Sequence, residues 1–234
     1  MRSVEGRWGT IWFYGKDEYV GRSLFHYGEY NPDETEMIIA LAAEAGRDKL
    51  CLDIGANFGV MGQALEANGF SCLCFEPQPD VFTVLTRNVS RCVNIGLGSE
   101  AGKAKMPKIL TGSRANYGGS GIGFRSDLGT IDVEVRTLDS FDFPNVGFMK
   151  IDVEGFEEKV LRGGVRTIAR CKPIMYIEDD REALSASLRV YIRGLGYTIE
   201  EHKPTLYREN NFFGLKKNVW DKNYVSHNII CRPC

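Results

Sequence analysis

The chain has 234 residues, 43% apolar and 26% charged, and its 29 basic and 31 acidic side chains leave a formal net charge of −2. That balance provides no basic footprint for DNA or RNA, and no apolar run reaches the ~18–20 residues of a membrane helix. Length bounds the fold at one sizeable domain or two.

The N-terminus, MRSVEGRWGT, lacks the basic-then-apolar pattern of a secretion signal. The seven cysteines are odd in number and scattered among apolar neighbours, as at Cys51, Cys72 and Cys74. They read as unpaired thiols of a reducing, cytoplasmic setting. Cys231 and Cys234 form a C-x-x-C without a second pair, which is weak ground for a metal or redox site.

Thr10–Tyr14 opens the chain order as a strand in an aromatic-rich stretch, followed by an irregular piece reaching Tyr30. Asn31, Pro32 and Glu34 mark a helix start: a cap, a proline in the first turn and the acid of a capping box. That helix runs through Met37, Ile38 and Leu41 and stops near Gly46. Strand patterns then fall at Leu50–Ile54, Ser71–Phe75, Val93–Leu97, Val146–Ile151 and Pro173–Ile177. Helical patterns lie at Val60–Asn68, Pro79–Val89, Phe156–Arg162 and Arg181–Leu195. Short apolar strands separated by amphipathic helices predict βαβ units, hence an α/β fold with a parallel sheet covered on both faces. Six glycines between Gly112 and Gly129 predict a long mobile loop over 107–130, before an alternating strand at Ile131–Thr137. The tail from Tyr197 to Ile230 reads as two more strands, added antiparallel at one edge. We divide the chain into an N-terminal segment, 1–46, that covers the site, and a catalytic body, 47–234.

In such a sheet, ligands bind beyond the carboxyl ends of the strands. The first strand of the alternation ends in Asp53 and passes at once into a loop with Gly55, Asn57 and Gly59. Asn57 stands where a dinucleotide fingerprint needs its second glycine, and an acid at Asp53 is expected to put negative charge into the site. Both features oppose a pyrophosphate. Glu76 ends the next strand, where a carboxylate can accept both hydroxyl hydrogens of a ribose. A cationic nucleoside with a free ribose satisfies both acids, and S-adenosylmethionine is the obvious one. The expected cofactor residues are Asp53, Gly55, Asn57, Gly59, Glu76 and the adjoining Pro77.

DIGANFG, CFEP and FMKIDVEGFEEKVLRGG (Phe148–Gly164) together resemble the FkbM family of S-adenosylmethionine-dependent methyltransferases. LFHYGEYNPDE, PIMYIEDDR, HKPTLYRENNFF and SHNIIC extend the resemblance from about Leu24 to Cys231. It implies a Rossmann-like, seven-stranded methyltransferase sheet, mostly parallel with an antiparallel edge strand. It also implies transfer to a hydroxyl on a sugar, glycan or natural-product alcohol. By residue it puts Asp53, Gly55, Asn57, Gly59 and Glu76 at the cofactor, with Asp152 and Glu154 at the end of the fourth strand. Position 179, often an amide in related sequences, is an acid here.

A hydroxyl, with a pKa near water's ~15.7, needs a base or a metal to attack a methyl group. Asp152 is the first candidate base, Glu154 the second and His202 an alternative. Asp152 with Glu178 and Asp179 (Asp180 follows) would supply oxygen ligands should the site use Mg²⁺. Tyr27, Asn116, Tyr117 and Glu178 are the expected contacts to a small-molecule or glycan acceptor. N-methylation of an amine and a non-catalytic nucleoside-binding module are the competing readings. An NAD-dependent dehydrogenase is opposed by Asn57 and Asp53.

Overall fold

The computed structural model describes residues 1–124, 126–220 and 222–234. A hairpin opens it, β1 (Arg2–Gly6) and β2 (Gly9–Phe13), followed by helices α1 (Val20–Tyr27) and α2 (Pro32–Ala45). Next come β3 (Leu50–Ile54), α3 (Val60–Ala67), β4 (Ser71–Phe75), α4 (Pro79–Leu85) and β5 (Cys92–Val93). Strands β6 (Gly96–Leu97), β7 (Gly102–Pro107) and β8 (Thr130–Arg136) form a separate small sheet in the order β6-β8-β7. The chain continues through β9 (Val146–Ile151), α5 (Glu157–Arg162), α6 (Val165–Cys171), β10 (Ile174–Glu178), α7 (Glu182–Gly194), β11 (Tyr197–His202) and β12 (Asn228–Pro233).

The main sheet has seven strands in the order β11-β12-β10-β9-β3-β4-β5. Pairings from β5 to β10 are parallel. Strand β12 runs antiparallel to both its neighbours and lies one place inside the edge, between β10 and β11. The sheet reverses direction of growth at β3, so its switch point lies between β3 and β9, where a cleft opens at the strand ends.

Strand alternation sorts the side chains into two cores. Leu52, Ile54, Met149, Ile151, Met175 and Ile177 pack on one face with Val160, Leu161, Ile168, Leu188 and Ile192 of α5, α6 and α7. Cys51, Cys72, Cys74, Phe148, Tyr176 and Ile230 pack on the other with Ile38 and Leu41 of α2 and Met61 and Leu65 of α3. Buried thiols are therefore packing groups. Cys231 is fully buried in β12 while Cys234 is exposed, and both are free thiols.

The strand expected at Val93–Leu97 is broken in two, with β5 in the main sheet and β6 in the small one. Asn94 explains the break. Its Nδ2 donates to the carbonyls of Glu76 and Pro77 at 2.8 and 3.1 Å, replacing ladder bonds and turning the chain out of the sheet. The loop expected over 107–130 begins at the end of β7, a strand that sequence periodicity missed, and residue 125 within it lies outside the described residues. Buried Asp17 ties this loop to the N-terminal segment: its carboxylate accepts from the N–H groups of Tyr117, Tyr19 and Gly21 at 2.9, 3.1 and 2.8 Å.

Candidate functional site

A cleft of about 280 Å³ lies over the carboxyl ends of β3, β4, β9 and β10, and the start of β12. At one end it is lined by Gly55, Ala56, Asn57, Glu76, Pro77 and the apolar Ile95, Leu97 and Ile122. Gly55 is required by geometry. Its φ is +83°, and a Cβ there would stand 1.7 Å from the carbonyl oxygen of Asp152. The loop after β3 can thus press against the end of β9 only without a side chain.

Glu76 is 6% exposed, and its two carboxylate oxygens accept from the backbone N–H groups of Asn57 and Gln78 at 2.9 and 2.8 Å. Burial raises it to about 7, against the pull of those two donors. Asp53, expected to face the ligand, does not line the cleft. It is fully buried beneath the floor, and neither carboxylate oxygen has a hydrogen-bond partner. Its companion is Lys150, the cross-strand neighbour on β9, with Nζ 3.8 Å from Asp53 and 3.0 Å from Asp152. Burial pushes Asp53 up; Lys150 opposes that push. The three acids Asp152, Asp53 and Glu34 outweigh the burial of Lys150 and hold its ammonium charged well above the usual lysine range.

Asp152 lines the cleft where the apolar end gives way to an acidic one. Glu154 follows with a left-handed φ of 56° and is ion-paired with Arg181, while burial lifts its carboxyl to about 7. Glu34 enters from α2, 6% exposed and likewise raised to about 7 by burial. Its carboxylate accepts from the Asn31 side-chain amide, whereas a capping box would use the Asn31 backbone N–H. Asn31 has a left-handed φ of 41° and makes no side-chain cap, so the helix start is marked correctly but by different bonds.

Asn116 and Tyr117 line the cleft, as do Pro77 and Glu178. Besides Asp53, three expected site residues fall elsewhere. Gly59 is the left-handed residue that starts α3, packed against Leu85 and Val89. Tyr27 is 1% exposed; its hydroxyl accepts from the N–H of Val219 at 2.7 Å and donates to the carbonyl of Lys217 at 3.2 Å, which makes it an anchor for the tail. His202 lies outside the cleft, with Nδ1 2.8 Å from the hydroxyl of Tyr176, and burial holds its imidazole below the ordinary range.

The magnesium set of Asp152, Glu178 and Asp179 is not assembled. Asp179 is one residue past Glu178, so it faces the opposite side of the sheet, where it accepts from Arg189 Nε at 2.7 Å and Ser185 Oγ at 2.9 Å. Glu154, Glu178 and Asp180 do bring carboxylate oxygens within 4.8 Å of one another. Arg181 already compensates two of them, Glu154 by direct pairing and Asp180 at 3.4 Å, so the donor set does not fit a divalent ion.

Sequence reasoning missed Lys150 and the tail residues Ser226, His227 and Asn228, and read Glu34 only as a helix-start acid; all are in the cleft wall. A lysine inside the apolar FMKI run was the one signal available, since a strand buried on both faces tolerates a charge only beside a partner.

The family model described as Methyltransferase FkbM domain matches residues 53–213. The chain is 30% identical over 138 residues to the hexuronic acid methyltransferase AglP of Haloferax volcanii, which covers 56% of each protein. It thus spans about half the length of that relative. Among solved structures, an FkbM methyltransferase from Methylobacillus flagellatus KT matches with a TM-score of 0.50 at 15% identity, over 78% of this chain and 43% of that one. The magnesium protoporphyrin IX methyltransferase ChlM of Synechocystis PCC 6803, solved with bound SAM, matches with a TM-score of 0.50 at 12% identity, over 97% and 86% of the two chains. At those identities the likeness concerns the fold.

Proposed function

The chain belongs to the FkbM methyltransferase family, and from that premise we propose that its cleft binds S-adenosylmethionine and directs the methyl group to a hydroxyl of a sugar, glycan or related alcohol. The observation that carries this reading is the pairing of Glu76 and Asp152 along one cleft. The residues present fit the cofactor. Glu76 offers a preoriented carboxylate to ribose hydroxyls, Ile95, Leu97 and Ile122 offer an apolar slot for a base, and Asn57 has a buried side-chain oxygen without a partner. Bound there, the cofactor would supply a methyl group already activated on a sulfonium.

The chain's own work is then to orient an acceptor and receive its proton. Asp152 is the group we assign to that task, because it ends a central strand and its carboxylate is held by Lys150. The buried ammonium fixes the position of the Asp152 carboxylate, so alignment of the hydroxyl is the larger part of its contribution. His202 is the weaker candidate, since Tyr176 holds it away from the cleft. The acidic end of the cleft favours one second reading, N-methylation of an amine.

Single-turnover transfer of labelled methyl at saturating cofactor, across alcohols, glycosides and amines, tests the assignment. Asp152→Asn is expected to slow transfer by ~10²-fold or more, within the range that general-base assistance supplies, and His202→Gln by little. A crippled His202→Gln beside a near-normal Asp152→Asn would reverse the roles.

A further inference from the structure

Beyond Asp152 the cleft is walled by the end of β10 and the start of β12. Glu178 and Asn228 are direct cross-strand partners there, and both line the cleft. Asn228 is 5% exposed and its Nδ2 has no hydrogen-bond partner; the buried Oε2 of Glu178 has none either. A donor and an acceptor left unpaired side by side in a buried wall are costly unless something else completes them.

The cations at this end of the cleft are already engaged. Lys150 lies between Asp53 and Asp152, and Arg181 serves Glu154 and Asp180. Burial first, then the neighbouring charges of Asp152 and Glu154, push the Glu178 carboxyl well above the usual carboxylate range. That push favours the protonated carboxyl, which can both donate and accept. No uncompensated cation lines this end among the described residues, and an incoming carboxylate would face Asp152, Glu154 and Asp180.

We propose that Glu178 and Asn228 form an acceptor subsite that grips neighbouring hydroxyls of an uncharged sugar ring and rejects acceptors bearing a carboxylate. The subsite rests on the reading of the cleft as a hydroxyl methyltransferase and narrows it. A neutral hexoside is the substrate class, in contrast to the hexuronic acid in the name of the archaeal relative. An unpaired donor–acceptor pair suits a vicinal diol, which brings one hydroxyl to each partner, and a site built to hydrogen-bond hydroxyls discriminates strongly against ligands that leave it unsatisfied.

The test uses the full chain loaded with S-adenosylhomocysteine for binding, or S-adenosylmethionine for transfer. Methyl gluco-, galacto- and mannopyranosides are each compared with the matching uronide, beside a set of amines. At least one hexoside should bind and turn over ~10-fold or more better than its uronide. Asn228→Leu and Glu178→Leu should each raise KM for that hexoside ~10-fold with S-adenosylhomocysteine affinity unchanged, whereas Glu178→Gln, which keeps a neutral donor and acceptor, should retain binding. If Asn228→Leu does not fold, the two Glu178 variants carry the comparison. Equal use of hexoside and uronide, or wild-type KM in both leucine variants, overturns the subsite and leaves hydroxyl methylation standing. Transfer to amines and to no glycoside removes the hydroxyl reading itself, and the subsite with it.

Discussion

Glu76 does two jobs with one carboxylate, and the conflict between them is measurable. It accepts the N–H groups of Asn57 and Gln78, and it faces the end of the cleft assigned to the ribose. Its carboxyl stands at about 7 in the free protein because burial penalises the charge. Ribose hydroxyls donate to the ionised form, so ligand binding should lower that value and release a proton near and below pH 7. Calorimetry in buffers of different ionisation enthalpy should show this release, with S-adenosylhomocysteine affinity rising with pH to about 7 and flat above. Glu76→Gln should weaken binding by about 1.5–3 kcal/mol and abolish the release; wild-type affinity in that variant would remove the ribose assignment. Lys150 poses the complementary case. With its side chain 6% exposed, it is the near cation of both Asp53 and Asp152. Lys150→Met should cost about 3–5 kcal/mol in denaturant unfolding by stranding buried acid, and adding Asp53→Asn should recover part of the loss.

At the scale of elements, the N-terminal hairpin joins the body through a side chain that imitates a strand. Asn88 donates to the carbonyls of Trp12 and Phe58 at 2.7 Å each and accepts from the N–H of Trp12 at 2.7 Å. An amide thereby replaces a ladder partner for β2. Asn88→Ala leaves those backbone groups unpaired in a site where Asn88 itself is 7% exposed, and should cost about 1–3 kcal/mol. The expected signature is early exchange of the Trp12 amide and loosening of residues 2–13 before the main sheet. Global unfolding without that local opening would mean the hairpin is held by its apolar contacts alone, chiefly Ile11 and Phe13 against Phe58 and Val84.

For the whole molecule, the cleft's acids set the pH dependence of stability. Glu34, Glu76 and Glu154 are raised to about 7 by burial, above an unfolded value of 4.5. Between those values the folded state holds more protons than the unfolded one, so the contribution of these three groups falls as pH rises from about 4.5 to about 7 and levels off beyond. Thermal unfolding without cofactor should accordingly give a higher Tm near pH 6 than at pH 8. Saturating S-adenosylhomocysteine should stabilise at both values and narrow the gap, because it favours ionised Glu76. A Tm that climbs steadily from pH 6 to pH 8 in the apo protein would contradict the burial of these groups.

Sequence by itself determined the elements whose causes are local. Apolar runs of strand length, glycines and acids at their ends and amphipathic stretches between them yielded β3, β4, β9 and β10, the helices they alternate with, and the residues Gly55, Glu76 and Asp152. It also brought Asn57, Pro77, Asn116, Tyr117 and Glu178 into view, all of which line the cleft. What the tertiary structure decided depends on which face a side chain takes and what lies across from it. One step of strand alternation separates cleft-facing Glu178 from Asp179, which is bound to Arg189 on the far side. Asp53 and Lys150 are 97 positions apart and meet only as register partners. Glu178 and Asn228 are joined only because β12 inserts antiparallel beside β10. Periodicity along a chain carries no register between strands, and a buried charge reveals its purpose only when the partner that compensates it is in place.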